Sequence, residues 1–81
     1  MKQETYTITV ESENKPGVLY RIAGIFVRRK INVEKLTVYE TKTKGRSRFT
    51  IIVNTTEDVV VRVIQSIRKV VEVHSAEAQK K

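Results

Sequence analysis

The chain has 81 residues, of which 16 are basic and 9 acidic, so its formal net charge is +7. This length predicts a single domain over residues 1–81, with a core at about 4–75 and a flexible tail at 76–81. The absence of cysteine excludes disulfides, a thiol nucleophile and a cysteine-based metal site. No apolar signal core and no run near the roughly 18 residues of a membrane helix are present. We therefore expect a cytoplasmic protein that does not associate with membranes.

The first predicted elements are a strand and a helix joined by a polar loop. Residues 5–10 alternate between threonine and apolar side chains, which is typical of a half-buried strand. We predict that the helix begins at Pro16, because proline suits the first turn, where its missing N–H is not needed. Its predicted core face has apolar residues at helical spacing, with Val18 and Ile25 beside them. These core-face residues are Leu19, Ile22, Ala23 and Phe26.

The start of this helix is a candidate ligand site. The backbone N–H groups near Gly17 and Val18 have no partner inside the helix, and Gly17 has no side chain to keep a ligand away. Such a helix start suits a carboxylate or a phosphate. Asn14 just before it, and Asn32 after the helix, supply side-chain amides. A Pro-Gly pair before a helix is also common as a simple helix start, so the pattern alone leaves both interpretations open.

The second half of the chain contains two strands, a helix and a last strand. The strands at 31–40 and 48–53 form a predicted hairpin around Gly45, which favours the turn. Thr55 is the predicted cap of the next helix, with Asp58 completing a capping box. A short strand at 70–73 follows. The apolar residues at helical spacing in this helix are Val60, Ile64, Ile67 and Val71, with Val63 beside them.

The element order β-α-β-β-α-β predicts an α+β, ferredoxin-like fold. Two βαβ halves with right-handed crossovers form a four-stranded antiparallel sheet with both helices on one face. The opposite face is predicted to be mixed rather than charged, which leaves it open to partial covering by a partner. Its predicted residues are Thr7, Thr9, Thr37, Tyr39, Thr50 and Ile52.

The residues for independent catalysis are not present as a recognisable cluster. His74 is the single histidine, and there is neither a metal-ligand spacing, nor a Walker loop, nor a G-x-G-x-x-G motif. We therefore expect no enzyme activity, no metal and no cofactor. The basic residues fall in separate groups, and Tyr39 is the single candidate for base stacking, so a nucleic-acid partner is disfavoured. A small basic module that binds nucleic acid or protein, without a small ligand, remains the alternative.

Six segments of the chain are together similar to a known family. They are 13–19, 21–26, 28–29, 32–38, 47–51 and 69–73. These segments resemble the ACT domain of the small regulatory subunit of acetolactate synthase (acetohydroxyacid synthase). The resemblance covers roughly residues 5 to 75, and it implies the same ferredoxin-like arrangement.

The resemblance also implies a function. Members of the family are non-catalytic subunits that bind a branched-chain amino acid, usually valine, between two ACT domains paired side by side in one eight-stranded sheet. They activate the thiamine-diphosphate-dependent catalytic subunit, and valine returns it towards low activity. The implied partners are therefore a second copy of the chain, the acetolactate synthase catalytic subunit and an amino acid effector. A different ACT protein that senses another amino acid remains open.

The implied ligand-binding residues come from two subunits. Gly17 and Val18 would offer backbone amides to the effector carboxylate, and Asn32 of the partner copy would hold its amino or carboxylate group. Leu19 would either line an apolar pocket or pack in the core. The implied set is Asn14, Gly17, Val18 and Leu19 from one copy and Ile31, Asn32 and Val33 from the other.

Two departures from the family pattern are visible. Lys30-Ile31 replaces the usual glycine and aromatic residue before Asn32, so the helix exit is expected to differ. The usual C-terminal domain is also absent, which leaves both a short stand-alone form and a fragment open.

Overall fold

The computed structural model describes residues 2–81, so Met1, which the predicted domain includes, lies outside the described residues. The four strands form one antiparallel sheet in the order β2-β3-β1-β4. This confirms the predicted ferredoxin-like βαββαβ fold. Neither helix within residues 2–81 has the length and apolar character needed to cross a membrane. The elements are β1 (Glu4–Glu13), α1 (Val18–Arg28), β2 (Asn32–Glu40), β3 (Arg46–Thr55), α2 (Glu57–Arg68) and β4 (Val73–Lys80).

The core lies between the two central strands and the two helices. Alternate residues of β1 and β3 are buried, because successive side chains of a strand point to opposite faces of the sheet. The register places Thr9 opposite Thr50, and Thr50 opposite Thr37, on the other face, as predicted. The buried apolar residues of the helices are Val18, Ile22, Ile25, Phe26, Val60, Val63, Ile64 and Ile67.

The first helix begins two residues later than predicted. The Val18 N–H donates to the Lys15 carbonyl oxygen at 3.4 Å, and Gly17 has φ 88° and ψ −17°. These are the features of a type II turn over residues 15–18, with proline at the second position and glycine at the third. Pro16 therefore shapes the turn before the helix, and the prediction that the helix starts there is wrong.

The predicted core face of α1 is also wrong at two positions. Leu19 is 47% exposed and Ala23 is half-buried, whereas Val18 and Ile25 are buried. The apolar positions of α1 extend around more than one side of the helix, so spacing alone did not select the side that packs on the sheet. Leu19 is thus available to a ligand or a partner rather than to the core.

The end of α1 has the geometry that glycine usually provides. Lys30 has φ 56°, and its N–H donates to the Val27 carbonyl oxygen at 3.1 Å. The Ile31 N–H reaches the Phe26 carbonyl oxygen at the same distance. These two bonds and the left-handed residue form a Schellman motif. Lys30 therefore adopts a left-handed conformation, which favours glycine, the residue that the family usually has before the start of β2.

The start of α2 differs from the prediction by one residue. Thr55 is the buried last residue of β3, and Thr56 is the N-cap residue, with no side-chain hydrogen bond to the helix amides. The Thr56 hydroxyl donates instead to Asp58 Oδ1 at 2.6 Å, which lowers the pKa of that carboxyl. The predicted cap at Thr55 is wrong because β3 extends to that residue.

The last strand differs most from the prediction. We expected it at 70–73, but β4 runs over Val73–Lys80, and residues 76–80 pair with residues 6–10 of β1. Val71, predicted to face the core from α2, lies after that helix and is 90% exposed. The predicted flexible tail is therefore wrong for residues 76–80, since polar residues at a sheet edge still form a hydrogen-bonded ladder.

Candidate functional site

The turn between β1 and α1 presents free backbone amides. Within residues 2–81, the N–H groups of Gly17, Leu19 and Tyr20 have no hydrogen-bond acceptor, and the bond of the Val18 N–H is long at 3.4 Å. The first turn of α1 contains neither an acidic residue nor a side-chain cap. The positive end of the helix dipole is therefore unneutralised by the chain itself. The Asn14 N–H donates to the Gly45 carbonyl oxygen at 2.8 Å, which anchors the turn to the β2–β3 hairpin.

Charged pairs hold both sides of this turn. Glu13 contacts Lys15 Nζ at 3.6 Å and His74 Nε2 at 3.0 Å. The Arg21 Nη2 atom lies 2.6 Å from the buried Oε1 atom of Glu72 and compensates its charge. The contact with Arg21 lowers the pKa of the Glu72 carboxyl. Lys15 and Arg21 are thus each paired with a carboxylate, so the attraction for an anionic group comes from the free amides and the positive end of the helix dipole.

The residues around Asn32 form the second part of the candidate site. Asn32 is exposed and lies opposite Asn54 in the sheet, while Ile31 and Val33 are half-buried against the core. An open cavity of about 320 Å³ is lined by Lys30, Ile31, Asn32 and Asn54, among others. The Schellman motif at the end of α1 fixes the direction in which the chain enters β2, and so positions the Asn32 side chain.

A single chain does not bring the two parts together. Asn32 is level with Asn54, at one end of the sheet, whereas Glu40 and the end of β1 lie at the other end. The 11 residues of α1 separate the two parts by roughly 16 Å, at 1.5 Å per residue. The structure groups Asn14, Gly17, Val18 and Leu19 at one end, and Ile31, Asn32 and Val33 at the other.

The outer edge of β2 is available for pairing with another strand. All but one of its nine residues are exposed, and no strand within residues 2–81 lies on that side. Leu36 and Val38 are 38% and 37% exposed on the helix side of the sheet. Leu19, Ala23 and Val27 share one side of α1, because residues four apart lie one above the other on a helix. Leu36 and Val38 therefore give the β2 edge an apolar surface on the helix side of the sheet.

Three features of this region were not visible in the sequence. The Arg21–Glu72 pair joins residues that are far apart along the chain, and the exposure of Leu19 depends on which side of α1 packs on the sheet. The left-handed conformation of Lys30 has no residue-type signal, and the absence of the usual family glycine led us to expect a different helix exit instead. Within residues 2–81, no group of three or more potential metal-ligand side chains is close enough to hold a metal ion.

Comparison with solved structures defines the class of the fold. The chain superimposes on the ACT domain of GTP pyrophosphokinase from Chlorobium tepidum with a TM-score of 0.83, covering 96% of this chain and 100% of that one. The sequence identity is 18%, so this likeness concerns the fold alone. The protein is an ACT-type, ferredoxin-like domain.

Sequence comparison then identifies the family. The pattern of the AHAS small subunit-like ACT domain matches residues 8–75, and the chain belongs to that family. It is 49% identical over 67 residues to a protein of Archaeoglobus fulgidus named probable acetolactate synthase small subunit, covering 83% of this chain and 42% of that protein. It is 40% identical over 73 residues to the acetolactate synthase small subunit of Mycobacterium bovis, covering 90% of this chain and 44% of that protein.

A solved structure of the same family supports the assignment. The acetolactate synthase small subunit of Thermotoga maritima is 31% identical, with a TM-score of 0.82. The match covers 91% of this chain and 46% of that one. The chain thus spans less than half the length of the relatives it matches, and corresponds to their ACT portion.

Proposed function

We propose that this chain is the effector-binding domain of a regulatory, non-catalytic subunit of acetolactate synthase. In this proposal, two copies pair along their β2 edges and bind a branched-chain amino acid, valine in the simplest case, between them. Effector binding then modulates the activity of the catalytic subunit. The family membership and the names of its relatives support the enzyme system, and the geometry of the candidate site supports the shared ligand.

The separation of the two half-sites is the observation on which the shared site rests. Antiparallel pairing of β2 with its copy about a two-fold axis would bring Asn32 of one chain towards the Glu40 end of the other. That end carries the β1–α1 turn, since Glu40 lies opposite Ser47, and Ser47 opposite Ser12. One pairing would therefore unite the free amides of one copy with Asn32 of the other, twice per dimer.

The chemistry of the two half-sites is complementary to an amino acid zwitterion. Free N–H groups at a helix start suit the carboxylate, and the oxygen of an asparagine amide accepts hydrogen bonds from the ammonium group. The apolar surface at Leu19 would contact an aliphatic side chain. Because a ligand shifts an equilibrium only by its differential affinity, effector binding at this shared site would act by favouring one assembly state of the subunits.

The test is a calorimetric titration with valine, leucine, isoleucine and aspartate at two salt concentrations. We expect saturable valine binding that changes little with salt, in contrast to the steep salt dependence of phosphate contacts. Asn32→Ala is expected to weaken valine binding by about tenfold or more, equivalent to about 1.4 kcal/mol or more. Gln79→Ala removes an exposed amide from the opposite edge strand and serves as the matched control.

Two outcomes would contradict the proposal. Valine affinity that is unchanged in Asn32→Ala would exclude this residue from the site. A protein that remains monomeric by sedimentation at saturating valine would exclude a site shared between two copies. Loss of the circular dichroism signal of the folded protein would mark a variant as unfolded, so the dichroism spectrum is measured alongside each titration.

A further inference from the structure

A groove runs between the outer sides of α1 and α2, away from the β2 edge. Its volume is about 410 Å³, and we name it the α1–α2 groove. One wall belongs to α1 and the other to α2 and the residues that follow it. The residues used below are Tyr20, Gly24 and Arg28 on the first wall and Ser66, Lys69 and Val71 on the second.

Each wall of the groove carries one exposed, large apolar side chain. Tyr20 and Val71 are 82% and 90% exposed, which is unusual for two large apolar side chains at one surface. Gly24 has no side chain on the wall of α1, and the flexible Arg28 guanidinium lies over it, 3.3 Å from where a Cβ atom would stand. An apolar side chain of another molecule would enter there by displacing that guanidinium.

The rim of the groove is cationic. Arg28 and Lys69 have no ion-pair partner within residues 2–81, and no acidic side chain lines the groove. Glu72 lies nearby, but Arg21 already compensates its charge at 2.6 Å. Arg62 adds a further cation on α2, one helical turn before Ser66. These positive charges contribute to the net charge of +7. Binding of an amino acid zwitterion, which has no net charge, does not account for such an excess of basic residues.

Cations beside exposed apolar side chains are complementary to an amphipathic helix that carries carboxylates. Such a helix places apolar side chains in a groove at spacings of three and four residues and presents its charges to the rim. A nucleic acid fits less well, because its phosphates would lie over the exposed apolar side chain of Val71.

We propose that the α1–α2 groove docks an acidic amphipathic helix of the acetolactate synthase catalytic subunit. This inference rests on the proposed function, and it assigns to the partner a surface distinct from the effector site. Leu19, Ala23 and Val27 lie on another side of α1 and remain free for pairing of two copies. A paired dimer therefore presents two grooves to catalytic subunits.

The groove adjoins the effector site at the start of α1. Tyr20 belongs to the first turn of this helix, directly after the free amides of the β1–α1 turn. Arg21 lines the groove, and the backbone carbonyl oxygen of its partner Glu72 accepts a hydrogen bond from the Glu13 N–H at 2.9 Å. A shift of α1 on effector binding would therefore alter the groove. If effector binding changes the affinity for the partner by some factor, linkage requires that docking of the partner change the effector affinity by the same factor.

The test measures binding of the purified protein to the acetolactate synthase catalytic subunit of the same organism. The double variant Arg28→Glu/Lys69→Glu reverses two charges at the groove. Lys42→Glu/Lys44→Glu makes the same change of net charge in the β2–β3 hairpin and is the matched control. We expect the dissociation constant of the groove variant to rise by about tenfold or more, and that of the control to change by less than about threefold, because charges inside an interface matter more than remote ones.

A second variant separates docking from folding and from net charge. Gly24→Leu keeps the net charge and raises the helix propensity of α1, and its side chain displaces the flexible Arg28 guanidinium and fills the groove, so the fold is retained while docking weakens. Equal binding of the catalytic subunit by wild type, groove variant and Gly24→Leu would overturn the inference. Equal weakening by the groove variant and the hairpin control would also overturn it, because net charge alone would then explain the effect.

The outcomes distinguish this inference from the proposed function. If the wild-type protein itself does not bind the catalytic subunit, the regulatory function fails, and the inference with it. If the wild type binds the catalytic subunit and the groove variants bind it with the same affinity, the groove assignment fails while the proposed function stands. A single-stranded oligouridylate is tested as a second probe. If the groove variants lose binding of this probe but still bind the catalytic subunit, the groove assignment is likewise refuted.

Discussion

Substitution of Lys30 by glycine tests whether the left-handed residue at the end of α1, just before Asn32, lowers the stability of the fold. Lys30 is the one non-glycine residue with positive φ, at 56°, in the described part of the chain. It is fixed there by the two hydrogen bonds of the Schellman motif, from the Lys30 and Ile31 N–H groups. Glycine adopts this conformation without steric cost, so Lys30→Gly removes backbone strain and leaves both bonds intact.

The magnitude follows from three opposing terms. A left-handed conformation costs a residue with a side chain about 1–2 kcal/mol, which Lys30→Gly relieves. Against this stand about 0.5–1 kcal/mol for the greater freedom of glycine in the unfolded chain and about 0.3–1 kcal/mol for the lost cation at the helix end. Together these ranges give a net change that lies between a loss of about 1 kcal/mol and a gain of about 1 kcal/mol.

Arg29→Gly is the matched control at the neighbouring position. Arg29 has φ −91° and ψ 0°, so glycine brings no relief there, while the freedom of the unfolded chain and the lost cation cost the same. The free energy of unfolding of Lys30→Gly should therefore exceed that of Arg29→Gly by about 1–2 kcal/mol. Urea unfolding at one fixed protein concentration measures both, since pairing makes stability depend on concentration. Equal stabilities, or the reverse order, would refute this account of the helix exit.

The remaining predictions concern the core and the ion pair behind the β1–α1 turn. Ile67→Ala is expected to lower the free energy of unfolding by about 2–5 kcal/mol because Ile67 is fully buried, whereas Val71→Ala should change it by less than about 0.5 kcal/mol. Arg21 lowers the pKa of Glu72 in the folded protein, so this pair stabilises above the unfolded pKa of about 4.3, and its contribution is lost as pH falls through the folded pKa. Arg21→Gln should therefore lose less stability than the wild type between pH 6 and pH 3 in urea titrations, and a parallel decline would show that the pair does not contribute.

The two parts of the candidate site differed in how far the sequence could predict them. The free amides at Gly17 followed from a Pro-Gly pair before a helix, because these residues determine the local backbone conformation directly. The role of Leu19 did not follow, since its apolar character and helical spacing fit both a core residue and an exposed one. Its 47% exposure depends on which side of α1 faces the sheet, and that is decided by strands distant in the chain.

The sequence alone determined the order of elements, because alternation, helical spacing and turn residues act over a few neighbouring positions. The ferredoxin-like sheet followed from that order, and the family from the resemblance of six segments. Tertiary structure decided the rest. Polar residues 76–80 form a strand only because β1 offers them a hydrogen-bonding edge, and Lys30 is left-handed because the Schellman bonds and the entry into β2 require it. The placement of the two half-sites at opposite ends of α1 likewise depends on the register of the whole sheet, which no local pattern encodes.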